Sequence, residues 1–86
     1  MENTQELPKW FIKGGGQIYT HGDDVENIFS GESIKLNNLE LSMYDYIKGA
    51  ELVAYQTNDK GIIQKFNKAL GWFRKANPSA YMVLLD

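Results

Sequence analysis

There is no cysteine anywhere in the chain, which removes disulfide staples and thiolate metal sites together. The one histidine, His21, cannot by itself build a metal centre or an imidazole relay. No apolar run approaches the roughly 18–20 residues that a membrane span requires. The opening MENTQELPK is polar and leans acidic, without the basic start and apolar core of a secretory signal. A positive charge balance is missing too. Net charge is −2 and the pI about 5.3, which disfavours a strongly cationic nucleic-acid binder. Internal repeats, linkers and low-complexity tracts are also absent. The expectation is a soluble protein of a reducing cytoplasm, with no membrane association.

What is present suits one small domain spanning residues 1–86. Hydrophobic residues make up 43% and charged residues 23%, ordinary for a globular chain. So short a chain buries a modest fraction of its surface, and self-association is one way to add stability.

The longest helical pattern runs from Asn37 to Gln56. Asn37 stands three residues before Glu40, the spacing of a capping box. At about 100° per residue, Leu39, Met43, Tyr46, Ile47, Ala50, Val53 and Ala54 form one wide stripe. Leu41, Tyr44, Leu52 and Tyr55 lie nearly opposite, with Lys48 among them. A helix apolar on two faces needs two covering surfaces. One is the other long helix; the second is either the N-terminal segment or another copy of the chain.

That other helix is expected from about Asp59 to Ala76, with Thr57-Asn58-Asp59 supplying its cap. Ile62, Ile63, Phe66, Ala69, Leu70, Phe73 and Ala76 share one face. Asn77-Pro78 ends it and opens a further short helix, because proline at the first helical position sacrifices no bonded donor.

Residues 7–36 read as mainly strand and turn, after a frayed tail over residues 1–6. Trp10-Phe11-Ile12 and Gln17–Thr20 are candidate hairpin strands around Gly14-Gly15-Gly16. Ser33–Leu36 is the candidate third strand. Between them, Asp23 would cap a helical turn through Ser30 that directs Val25, Ile28 and Phe29 inward and closes at Gly31. The fold class is therefore α+β: an N-terminal β-hairpin or three-stranded meander, then two packed helices and a short C-terminal helix.

The pieces LELSMYDYIKGAELVAYQ and FNKALGWFRKANPSAYMVLLD resemble small uncharacterised proteins encoded by marine tailed phages, including cyanophages. The resemblance covers roughly the C-terminal half and rests on wording such as YDYIKGA and WFRKANP. It implies a phage genome context and a location in the host cytoplasm. It implies no activity.

Few residues offer chemistry. His21-Gly22-Asp23-Asp24 could bring imidazole and carboxylates together, but turn chemistry alone explains glycine and aspartate here. The triple glycine could cradle phosphate only if it led into a helix, and Gln-Ile-Tyr-Thr follows it instead. Tyr44, Tyr46 and Tyr55, with Asp45 and Glu51, include acid–base groups but show no nucleophile–base–orienter set. No catalytic residue, cofactor or metal ligand is expected.

Two surfaces remain. Leu41, Tyr44, Leu52 and Tyr55 read as an interface, for a homodimer or for a host or phage protein, or else as packing under the N-terminal hairpin. Lys65, Lys68, Trp72 and Lys75 share a flank of the second helix. There a flat aromatic among cations could take single-stranded nucleic acid. A solvated lysine face beside a core tryptophan is the favoured alternative. The leading expectation is an accessory protein acting by protein–protein interaction, with weak nucleic-acid binding second.

Overall fold

The computed structural model describes residues 5–85. In chain order the elements are α1 (Lys9–Lys13), β1 (Asp23–Glu26), β2 (Ser33–Leu36), α2 (Asn38–Thr57), α3 (Lys60–Ala76) and α4 (Pro78–Leu84). The fold is α+β: a two-stranded antiparallel hairpin, two packed helices and a short C-terminal helix. Among the described residues no third strand exists, so the hairpin form holds and the meander does not.

Local signals set the helices. The Asn37 side chain accepts from the Glu40 backbone N–H at 2.8 Å, while Glu40 Oε1 accepts from the Asn37 N–H at 3.0 Å. This is the expected capping box. Asn58 ends α2 in the left-handed region, φ 57°, which asparagine tolerates better than most residues. Asp59 then caps α3 through Gly61 and Ile62. So short a connection forces α2 and α3 to pack antiparallel. Asn77 accepts from the Ala80 N–H and starts α4, with Pro78 in its first turn.

The core gathers at one end of this helical pair. Phe11, Leu36, Met43, Ile47, Ala69, Phe73, Ala80 and Leu84 are buried together. They come from α1, β2, the first half of α2, the second half of α3, and α4.

The N-terminal half departs from expectation. Trp10-Phe11-Ile12 belongs to α1 instead of a strand. A strand would point Trp10 and Phe11 to opposite faces. The helical turn lets both rings meet Tyr46, at 5.5 and 5.6 Å between centroids in edge-on geometry. Gly14 and Gly15 close this turn, Gly15 with φ +77°. Gln17–Thr20 is not a strand either. Side chains of α2 satisfy its backbone: Ser42 Oγ accepts from the Tyr19 N–H, and Asn38 Nδ2 donates to the Tyr19 carbonyl.

The hairpin lies further on, where a helical turn was expected from Asp23 to Ser30. Val25 pairs with Ile34 and Asp23 with Leu36, so the half-buried Val25 and Ile34 and the buried Leu36 face the helices. The cap chemistry is real but belongs to Asn27, whose Oδ1 accepts from the N–H groups of Phe29 and Ser30. One turn forms, and Gly31 closes it with φ +80° as its place in the sequence suggested. Ile28 and Phe29 consequently point outward, not into the core.

Of the tail expected over residues 1–6, residues 1–4 lie outside the described residues. Gln5 and Glu6 are tied down. Gln5 Nε2 donates to Glu40 Oε2 at 2.8 Å and to the Ala76 carbonyl, while its Oε1 accepts from Asn37 Nδ2. Asn77 Nδ2 donates to Glu40 Oε1 at 3.2 Å. The buried Glu40 carboxylate thereby ties together the N-terminal segment, the start of α2 and the α3–α4 junction.

Candidate interaction surface

The apolar face formed by Leu41, Tyr44, Leu52 and Tyr55 divides along the axis of α2. Leu41 and Tyr44 are half-buried against the core, with the Tyr44 ring 6.2 Å from that of Phe73. Leu52 is 59% exposed and Tyr55 91% exposed. The first pair is therefore covered within the chain and the second pair is open.

The reason is where the covering elements stop. Inward packing on α2 runs as far as Ala50, and on α3 the fully buried positions begin at Ala69. Beyond them neither α2 nor α3 has a fully buried residue. Val53, expected in the inward stripe, is exposed there, while Ala54, Ile62, Ile63 and Phe66 are half-buried.

Two shallow clefts flank Tyr55. One, of about 500 Å³, is lined by Ala54, Tyr55, Ile63 and Phe66 together with the polar Glu51, Asn58 and Asn67. The other, of about 450 Å³, lies between Lys48, Glu51, Leu52 and Tyr55. Lys48 and Glu51 form an exposed ion pair at 3.5 Å, a contact of little energetic weight. An aromatic ring among apolar and polar side chains is a composition that protein interfaces share.

The basic flank of α3 is arranged differently. Lys65, Lys68 and Lys75 are exposed, and among the described residues none has an ion-pair partner. Trp72 is half-buried and packs on the core, and its indole N–H donates to the Glu6 carbonyl at 2.8 Å. The ring that would stack on a base is thus engaged along one edge by the N-terminal segment.

The remaining candidates are dispersed. His21 sits exposed in the bend before β1. The triple glycine follows the C-terminus of α1, the end of a helix that repels anions. Among the described residues no group of three or more histidine, cysteine, aspartate or glutamate side chains could hold a metal ion. No described helix is long and apolar enough to cross a membrane. Burial pushes the Tyr46 phenol above its ordinary pKa. Tyr19 is raised too, first by desolvation and then by the charge and hydrogen bonding of Asp45. Tyr46 packs edge-on against Trp10 and Phe11, Tyr44 packs on Phe73 and Tyr55 is exposed, while Asp45 and Tyr46 line one cavity of about 410 Å³ with Gln17 and Ser42.

Sequence reasoning missed one surface feature, the outward-facing Ile28-Phe29 at the hairpin tip. The signal was present in Asn27, which stands two residues before Phe29 and four before Gly31. An asparagine at that distance from a glycine suits a capped turn as well as a helix. Compared with protein-family models, with curated proteins and with solved structures, the chain has no match.

Proposed function

We propose that this protein is a small accessory protein of phage type that acts in the host cytoplasm by binding another protein, without catalysis. The observation that carries the reading is the exposure of Leu52 and Tyr55 on α2, 59% and 91% among the described residues. Exposed apolar residues are common singly, but here Leu52 and Tyr55 line one cleft together, and Tyr55 lines the other with the half-buried Ile63 and Phe66. Leu41 and Tyr44 lie on the same side of α2, nearer the core, and are half-buried within the chain.

Nucleic-acid binding through Lys65, Lys68, Trp72 and Lys75 is the less supported alternative, because the Trp72 edge is already bonded to Glu6. Phosphate attraction by the lysines alone would be weak and would vanish steeply with salt.

The test compares proteins captured from host lysate by the wild type, by Leu52→Asp with Tyr55→Asp, and by Lys68→Glu with Lys75→Glu. A partner kept by the wild type and the lysine variant, and lost by the apolar variant at every salt concentration, is the expected result. Equal recovery by the apolar variant would overturn the reading. Loss with the lysine variant, together with oligonucleotide binding at low salt, would transfer the function to α3.

A further inference from the structure

The cavity that Asp45 and Tyr46 line opens between Gln17, α2 and the first turn of α3. Its volume, about 410 Å³, falls among those of small-ligand sites. The wall that carries Gln17 is fixed to α2 two residues on. There Ser42 Oγ accepts from the Tyr19 N–H at 2.9 Å, and Asn38 Nδ2 donates to the Tyr19 carbonyl at 3.2 Å. A wall held before a ligand arrives lowers the ordering cost of binding. Gly49 stands in the lining, in the middle of α2. No positive φ requires glycine there, and a Cβ at that position would meet no atom within 4 Å. Neither backbone nor packing explains so poor a helix former. A side chain at Gly49 would narrow the cavity.

The lining has two characters. Ala50, Val53 and Ile62 are apolar, and Asp45 is the one charged residue. Among the described residues Asp45 has no ion-pair partner. Lys48, one turn along α2, lines the separate cleft beside Leu52 and pairs with Glu51. Burial pushes the Tyr46 phenol above its ordinary pKa, and desolvation followed by the Asp45 charge does the same for Tyr19. Both phenols therefore stay neutral at physiological pH, and the cavity carries a single negative charge.

That combination selects a ligand. An anion would be repelled by Asp45. A divalent ion needs more oxygen ligands than one carboxylate supplies, and no metal-holding group exists among the described residues. A neutral apolar molecule would strip water from Asp45 and give nothing back. A cation on an apolar chain satisfies both parts of the lining. We propose that this cavity is a binding site for an organic cation, with an ammonium group held by Asp45 and an apolar chain against Ala50, Val53 and Ile62. The same chemistry is offered by a free alkylamine and by a lysine side chain of another protein.

The test is amide NMR of the full chain, titrated with hexylamine, hexanol and hexanoate at one ionic strength. Hexylamine should saturate in the millimolar range, as suits so few atoms, and move the resonances of Gln17, Asp45, Gly49 and Ile62. Hexanol and hexanoate should bind about tenfold more weakly or not at all. Asp45→Asn, at an exposed position, should also weaken hexylamine about tenfold, the worth of one hydrogen bond to a charged group. Gly49→Leu should raise the thermal midpoint, because leucine is the better helix former, and should abolish binding. A more stable variant that has lost its ligand is not a misfolded one. Nα-acetyl-lysine N-methylamide separates the sources: binding tighter than that of hexylamine assigns the site to a protein's lysine, and weaker binding assigns it to a free amine. No saturable shift with either amine overturns the proposal. Hexanol bound as tightly as hexylamine, unchanged affinity in Asp45→Asn or Gly49→Leu, or shifts spread over the other acidic residues would each overturn it as well.

Discussion

The motif Leu-x-x-Tyr occurs twice on α2, as Leu41-Ser42-Met43-Tyr44 and again eleven residues later as Leu52-Val53-Ala54-Tyr55. Eleven residues return the helix to within about 20° of the same direction, so both copies face the same way. Their surroundings differ completely. Tyr44 lies against Phe73 at the core, and Tyr55 stands in solvent. Residue type and periodicity are equal in the two copies; only the reach of the covering elements separates them. One half of the helix is scaffold. The other is open to solvent at Leu52, Val53 and Tyr55.

The largest effect should come from the covered end. Phe73 is fully buried, so Phe73→Ala should cost about 3–5 kcal/mol, and in so small a domain it should lower the urea midpoint drastically. An unchanged midpoint would mean that the core does not lie where α2 and α3 meet α4. Next comes Glu40→Ala. It removes the acceptor for Gln5 Nε2, Asn77 Nδ2 and the Asn37 N–H, and should cost about 2–3 kcal/mol by the same measurement. Hydrogen exchange should rise at the α3–α4 junction as well as at the start of α2, because the carboxylate joins them. A rise confined to α2 would reduce Glu40 to a local cap.

The helix boundaries were legible because their causes are local. Asn37 with Glu40, Asp59 with Gly61 and Ile62, and Asn77 with Pro78 each lie within three residues of what they cap. The strand at Ser33–Leu36 was also legible from its alternation. Elsewhere the causes lie far along the chain. Trp10 and Phe11 are good strand residues, and they became helical because Tyr46 offers one place where both rings pack. The Gln5–Glu40–Asn77 cluster spans most of the sequence, and no window of neighbouring residues contains it. For the candidate site, the pattern found the apolar face of α2 but could not tell Leu41 and Tyr44 from Leu52 and Tyr55. Ile28 and Phe29 were read inward because a capped single turn and the start of a helix share the same residues.

The tyrosine pair tests the comparison directly, since the residue, the helix and the direction are held constant. Tyr44→Ser removes a ring half-buried on Phe73 and should cost about 1.5 kcal/mol, a fraction of the value for burying a whole aromatic side chain.

Tyr55→Ser gives the smallest effect. The ring is 91% exposed, so almost no buried area is lost. Serine and tyrosine have similar helix propensities, and α2 should therefore keep its length. The change in stability should stay within about 0.5 kcal/mol, the range of surface substitutions without special contacts. Urea unfolding must be followed at protein concentrations low enough to keep wild type and variant monomeric, because association would add stability to the wild type alone. Equal losses for Tyr44→Ser and Tyr55→Ser under those conditions would show that the far end of α2 belongs to the monomer's core. A loss for Tyr55→Ser that is absent at low concentration, and grows as protein is added, would instead identify Tyr55 as a residue whose burial awaits a second molecule.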